Sequence, residues 1–431
     1  MLDVVVIGGG MSGCIAALEA KKLGARVALA RRSWGATALS TGALDIAYTP
    51  ALSQASQMPR TLAEHVMDIV AHRRRHPYAV LGVERTIMGI RRGFDVLLSA
   101  LEPAGLAPQS IDLEAENAML PSSLGALMPA GSALAPHWGL DLTNIGKRRI
   151  GVLQLGGQAY FDARRVAAGI QADARSLSGG ALELGVLSLA FEARLSPFVL
   201  ARELDNQVVA DSLARGVGAG ARGFDILIAP PVLGLERHAA VRRQLAEAAG
   251  APVVEAVAHM PSVPGVRLQR ALERAVAAAQ IETIGEVKRA HTVSGRVRAV
   301  VTESPEEVEA GAFVLAAGRF VTGGIRWDDR CHEALFGLPV ACEQGVLEED
   351  GPDAVTRETP MESHPLMTAG VQVNAGLQPL REGRVAFENL FAAGMSIGGF
   401  ASRYVLCADG VAMCTGSLAG EAAAHKAGVS L

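Results

Sequence analysis

Cysteine is scarce, with five residues in a chain of 431: Cys14, Cys331, Cys342, Cys407 and Cys414. None forms a Cys-x-x-Cys pair, and no cysteine–histidine cluster has the spacing of a zinc or iron–sulfur site. No metal site is therefore expected, and an iron–sulfur cluster in the same electron path would sit in a partner. A sparse, odd set of thiols fits a reducing cytosol in which all stay free. Excess charge is lacking too. The net of −4 gives no electrostatic argument for nucleic acid or an anionic membrane surface. The short basic runs Arg73-Arg74-Arg75 and Lys147-Arg148-Arg149 read as solvated helix or loop ends. No stretch of about 20 uncharged apolar residues appears. The nearest, Tyr404 to Ala419, carries Asp409 and reads as a buried helix. No P-loop lysine, Ser-His-Asp arrangement or paired-carboxylate motif stands out.

Half of the residues are apolar, and the length predicts two lobes rather than one core. Leu2 to Ile7 is a valine-rich run suited to a parallel strand buried on both faces. A glycine turn follows at Gly8 to Gly13, then a helix from Met11 to Leu23. Gly24 caps that helix, and a second strand runs from Arg26 to Ala30. This is a complete βαβ unit, and with a strand starting at Leu2 no signal peptide is expected. Further along, Val83 to Leu101 has helical periodicity. Ile150 to Leu155 and Asp225 to Ala229 read as strands of a second lobe, with helices at Asp162 to Ala174 and Glu236 to Ala249. Gly265 to Ala279 reads as a helix with arginines on its outer face. Glu282 to Thr302 reads as a hairpin turning at Ser294-Gly295. Ala312 to Ala316 and Leu390 to Ala393 read as late strands, before a helix beyond Gly410.

The fold class expected is α/β: a discontinuous Rossmann-type domain, parallel sheet plus β-hairpin, with an inserted second α/β domain. The first comprises 1–76, 265–330 and 386–431. The insert is 77–264, a domain for substrate or partner, and 331–385 is a connecting cap segment.

Gly8-Gly9-Gly10-Met11-Ser12-Gly13 matches G-x-G-x-x-G between a buried strand and a helix, the context that gives this motif its meaning. Gly8 permits the tight turn, Gly10 lets backbone approach a phosphate, and Gly13 lets helix pack on strand. The helix N-terminus then holds the phosphate. The acidic residue that would bind an adenosine ribose at the end of the second strand is missing. Arg31 stands there, with Arg32 beside it. Four consequences are open: FAD with its ribose held otherwise, FMN without an adenosine, a dinucleotide carrying an extra phosphate for Arg31, or an arginine simply exposed.

Two distant segments point to flavin. Phe313-Val314-Leu315-Ala316-Ala317-Gly318 resembles the strand ending in Ala-x-Gly with which flavoproteins of the glutathione-reductase-like superfamily return to their first domain. Glu388-Asn389-Leu390-Phe391-Ala392-Ala393-Gly394 resembles the segment preceding their last helix. That resemblance implies a helix whose positive end faces the flavin pyrimidine ring, approached through Gly398, Gly399 and Gly410. It also implies that the loop Ser33 to Asp45, with Ser40, Thr41 and Gly42, lies over the flavin.

More closely, the glycine turn, Ser40-Thr41-Gly42-Ala43-Leu44-Asp45, and the tail with Gly398-Gly399-Phe400 resemble the B-subunit family of anaerobic glycerol-3-phosphate dehydrogenase, thinly but over essentially the whole chain. The resemblance implies a flavin, FMN in preference to FAD, since that family also lacks the ribose acid. It implies oxidation of glycerol 3-phosphate to dihydroxyacetone phosphate within a complex, or relay of its electrons. The partners implied are a flavoprotein A-type subunit and an iron–sulfur C-type subunit, the latter holding a cytoplasmic chain at the inner membrane. One departure is that Leu406-Cys407-Ala408-Asp409-Gly410 replaces a run of glycines. Cys407 and Gly410 are kept, but Asp409 puts an anion at the start of the last helix.

Hydride transfer from a hydroxyl needs a base or a charge clamp. The candidates are His364, in Ser363-His364-Pro365, and Arg403. His332 and His259 are weaker, and Arg319 is a further anion-binding candidate. Two other readings stay open: a stand-alone flavoprotein dehydrogenase for another hydroxy or keto substrate, and a scaffold subunit that has lost its cofactor.

Overall fold

The computed structural model describes residues 2–50, 60–143, 146–156, 160–178, 182–190, 196–304, 307–328, 330–343, 345, 347, 355–359 and 362–429. The first strand, Leu2–Ile7, sits mid-sheet between Val27–Ala30 and Glu307–Leu315, parallel to both. Its Val4, Val5 and Val6 are fully buried, which is why an unbroken apolar run was needed there. Glu282–Ile284 adds the far edge, also parallel. On the other side one long strand serves two purposes. The end of Glu307–Leu315 pairs in parallel with Leu390–Ala392. Its beginning pairs antiparallel with Arg296–Thr302, which in turn pairs with Val287–Val293. The seven-stranded sheet is therefore mixed.

The glycine-turn helix, Met11–Lys22, packs against the last helix, Ala408–Lys426, and both meet Val83–Leu101. The first two are alanine- and glycine-rich and buried along most of their length, so their backbones approach closely. Each fully buried large side chain here, such as Phe313, Ile15 or Leu97, contributes about 1.5–3 kcal/mol.

A second, four-stranded parallel sheet has the order Val253–Glu255, Ile226–Ala229, Arg149–Leu155, Glu183–Leu189. Apolar clusters cover its two faces. Helices Leu62–His72, Pro77–Leu81 and Val83–Leu101 do not belong to it. Leu62, Val66, Tyr78, Ile90 and Leu97 are part of the first core, so the boundary expected at 77 divides a single packed group. The reason lies in the last helix, which needs a cover that Val83–Leu101 supplies.

The helix Val263–Ala278 joins the two units, and here too the expectation is corrected. Arg267 is not on an outer face but buried, with a bidentate pair to Glu255 at 2.5 and 3.1 Å. Glu255 ends the edge strand of the second sheet, while the same helix packs on Met11–Lys22 and Val83–Leu101 of the first unit. Burial alone would raise the Glu255 carboxyl. The Arg267 guanidinium beside it holds it below its ordinary value instead. Among the described residues no helix is long and apolar enough to cross a membrane. Nor does any group of three or more His, Cys, Asp or Glu there have metal-binding geometry. The five cysteines are buried and none is disulfide-bonded.

Candidate functional site

A cavity of about 860 Å³ opens where the parallel strands of the first sheet end. That is near the top of the range of small-molecule sites, and it is where open α/β sheets bind ligands. Its floor is the glycine turn. Gly8 has φ +122°, and a side chain there would begin 2.1 Å from the Ala316 carbonyl oxygen. At Gly13 it would begin 1.8 Å from the Gly8 carbonyl oxygen. Turn, helix and returning strand are thus locked together by the absence of side chains. The helix that starts here has Gly10 as its N-cap, no capping side chain and no acid in its first turn. One of its terminal N–H groups, that of Met11, donates to Thr37 Oγ1 at 2.8 Å. The rest of that positive end suits an anion.

Sheet order sets what lies on either side of the turn. Toward the Glu282–Ile284 edge, the cavity is lined by Arg31, Arg32, Trp34 and the stretch Glu286 to Lys288. Toward the returning strand and the last helix, it is lined by Ala317, Gly318, Met395, Leu406, Asp409 and Ala412, with Ser40, Thr41 and Asp45 above. The cavity therefore extends in both directions from the phosphate-binding turn.

Of the residues expected to bind cofactor, Gly8, Gly9, Gly10, Met11, Ser12, Arg31, Arg32, Ser40, Thr41, Ala317 and Gly318 line this cavity. Gly13, Gly42, Gly394, Gly398, Gly399, Phe400 and Gly410 are not in its wall. They stand behind it, where backbone packs on backbone or side chain. Gly394 abuts Ser12 and gives its N–H to Thr415 Oγ1. Gly398 abuts Gly370, and Gly399 the carbonyl of Arg75. Gly42 lies on the His137 ring, and Gly410 against the Tyr78 hydroxyl.

Arg31 is half-buried and has a protein partner. Its guanidinium is ion-paired with Glu273, and its stem lies across Gly9. Glu273 comes from the joining helix, 242 residues away in sequence. No local pattern could have announced it. The same holds for Gln269, whose Nε2 donates to the Gly9 carbonyl at 2.9 Å. Ser396 Oγ accepts the Gly318 N–H at 3.0 Å.

At the other end of the cavity, two carboxylates meet. The Asp409 N–H donates to Asp45 Oδ1 at 2.7 Å, and the Asp45 N–H donates to Asp409 Oδ2 at 3.2 Å. Burial pushes Asp45 up to about 6, and burial together with Asp45 pushes Asp409 well above its ordinary value. The last helix has Cys407 as its N-cap. Burial raises the thiol of Cys407, which lies 3.3 Å from His76 Nε2. His76 is pushed down to about 3 by burial, so it is neutral.

The catalytic candidates fare differently. His364 caps the short helix Pro365–Thr368 and accepts the Arg357 N–H at 3.0 Å. It is not in the cavity wall, although Leu366 and Met367 are. Arg403 is exposed and outside the wall, next to Ser402, which is in it. Arg319 lines the cavity, but its guanidinium donates to the carbonyls of Met395, Ile397 and Phe400 at 3.0 Å, and to that of Met367. It also stacks 4.7 Å from the Phe400 ring. It is a structural clamp, and burial lowers it to about 10. His332 lies 3.6 Å from Asp328, and His259 lines a separate, smaller cavity of about 220 Å³.

Residues 3–411 match the FAD binding domain family. Over 98% of its length, the chain is 29% identical to the probable B-subunit of anaerobic glycerol-3-phosphate dehydrogenase from Halobacterium salinarum, of which it covers 98%. It is 26% identical to the B-subunit of anaerobic glycerol-3-phosphate dehydrogenase from Actinobacillus succinogenes, over 99% of both chains. Among solved structures, 3-ketosteroid delta1-dehydrogenase from Sterolibacterium denitrificans in complex with 1,4-androstadiene-3,17-dione is similar at 11% identity, over the whole of both chains, with a TM-score of 0.42. The domain match is to an FAD-binding family, so the expected preference for FMN finds no support.

Proposed function

This chain belongs to the FAD binding domain family, and from that premise we propose that it is the FAD-carrying subunit of a glycerol-3-phosphate dehydrogenase complex. The single observation behind FAD is that the cavity continues on both sides of the glycine turn. A mononucleotide would fill only one direction. The relatives' names supply the substrate and the status of subunit. A flavoprotein A-type subunit and an iron–sulfur C-type subunit are the partners this reading needs.

Bound FAD supplies a two-electron acceptor. The chain's own residues do the rest. Ser12 and the helix start would hold the diphosphate. Arg32, Trp34 and Lys288 would enclose the adenosine side. Asp45 and Asp409 hold a proton on the opposite side. Asp45 also takes up the N–H groups at the start of the last helix. Anionic charge developing there therefore meets a carboxyl pair rather than a bare positive helix end. Arg319 fixes the loops beneath and keeps its charge on protein carbonyls.

Electron relay is the first reading, because among the described residues no histidine is in the cavity wall. Direct oxidation of a hydroxyl substrate is the second, favoured by Asp45 and Asp409 as a proton acceptor within the wall. An anaerobic titration separates them. Under relay, glycerol 3-phosphate leaves the flavin of the isolated chain oxidised and bleaches it only when the A-type subunit is added. Bleaching of the isolated chain assigns the oxidation to this cavity. No bleaching in either mixture defeats the proposed substrate.

A further inference from the structure

Five basic side chains line the cavity: Arg31, Arg32, Lys288, Arg319 and Arg326. Four have their charge met by the protein. Arg31 is paired with Glu273, and Arg32 lies 3.7 Å from Glu286. Lys288 reaches Glu286 at 2.5 Å and Glu303 at 3.1 Å. Arg319 is consumed by four carbonyls. Among the described residues, the Arg326 guanidinium alone of the five charged groups has neither hydrogen bond nor ion pair.

Its placement is not accidental to the local fold. Arg326 is the middle residue of Ile325–Trp327, which pairs antiparallel with Cys331–Glu333. Ile325 and Trp327 belong to a small apolar cluster with Cys331 and Val340. Strand alternation turns Arg326 to the other face. Among the described residues, two carboxylates of this hairpin have other neighbours. Asp328 is approached by His332, the residue directly opposite Arg326. Glu333 also lines the cavity, but its oxygens accept the N–H groups of Leu335 at 3.0 Å and Phe336 at 2.7 Å.

We infer that Arg326 is the phosphoryl clamp of this cavity. A guanidinium with no protein partner presents a planar fork that matches two oxygens of a phosphoryl group. The inference rests on the FAD and glycerol 3-phosphate reading above, which offers two sources of the same chemistry: the cofactor's diphosphate and the substrate's phosphate.

The test compares wild type with Arg326→Gln and Arg326→Lys. Arg326 is exposed, so melting temperatures should match and folding is not at issue. FAD affinity is read by flavin fluorescence on the apo-chain. Glycerol 3-phosphate affinity is read by calorimetry on apo- and FAD-loaded chain. Arg326→Gln should weaken one ligand by roughly 10- to 100-fold, and Arg326→Lys should recover part of it. A loss for FAD assigns the clamp to the diphosphate. A loss for glycerol 3-phosphate with FAD unchanged assigns it to the substrate. Unchanged affinity for both overturns the inference. If wild type takes up no FAD, the cofactor reading fails by itself, and glycerol 3-phosphate binding to the apo-chain still decides Arg326.

Discussion

Asp45 and Asp409 each accept the other's backbone N–H, at 2.7 and 3.2 Å, across 364 residues of sequence. The exchange ties the loop over the cavity to the first turn of the last helix. Tyr78, Cys407 and Cys414 also face this region, all raised by burial, and Arg319 is the nearby cation.

This pair predicts a pH dependence of definite sign. In the unfolded chain both carboxyls ionise near 3.9. In the folded chain burial pushes Asp45 up to about 6, and burial together with Asp45 pushes Asp409 well above its ordinary value. The native state therefore binds more protons above that unfolded value, and the pair's contribution to stability falls as pH rises through 6. His76 and His238, lowered to about 3 and about 4, act in the opposite direction, with stability rising as they lose protons. Asp409→Asn should leave the histidines alone and remove the repulsion. Melting temperature, variant minus wild type, should grow more positive from about pH 4 to 8. A difference that stays flat over that interval contradicts the raised ionisation of this pair.

Glu255 and Arg267 make a different prediction. Both side chains are 1% exposed, so removing one charge strands the other. Glu255→Gln should cost about 3–5 kcal/mol in urea unfolding. Adding Arg267→Met should recover part of the loss, because it removes the guanidinium left buried without its carboxylate. A loss below about 1 kcal/mol, the size seen for exposed pairs, would show that water reaches this junction.

The glycine turn separates packing from ligand approach. Gly13→Ala places a methyl 1.8 Å from the Gly8 carbonyl, whereas Gly10→Ala meets only Thr37 Oγ1 at 3.3 Å. The first should lower stability by about 1–3 kcal/mol or more and abolish FAD uptake. The second should leave the melting temperature nearly unchanged and weaken FAD. Calorimetric melting with an FAD titration checks both, and equal effects of the two substitutions would contradict the assignment of separate roles.

The elements that position this site were mostly readable from the chain, because each is announced locally. The valines of Leu2–Ile7, the glycine turn and the returning strand at Phe313 all carry their pattern within a few residues. What could not be read depends on contacts between distant segments. The ion pair of Arg31 is one such contact, since its partner Glu273 lies on another helix. Arg267 looked like an outer-face arginine because its neighbour Glu255 belongs to the other sheet. The glycines at 394, 398, 399 and 410 are outside the cavity wall. Their small size serves close packing behind the wall, which sequence does not distinguish from approach to a ligand. Favouring FMN had one cause, a missing acid at the end of one strand, and that absence says nothing about a cavity built by several other segments.

A two-sided cavity should take a whole dinucleotide. The most direct test is mass identification of the flavin released by heat from the purified protein, or taken up when FAD and FMN are offered together. FAD is expected in both cases. FMN bound in preference, or a protein that stays colourless in the presence of either, would contradict it.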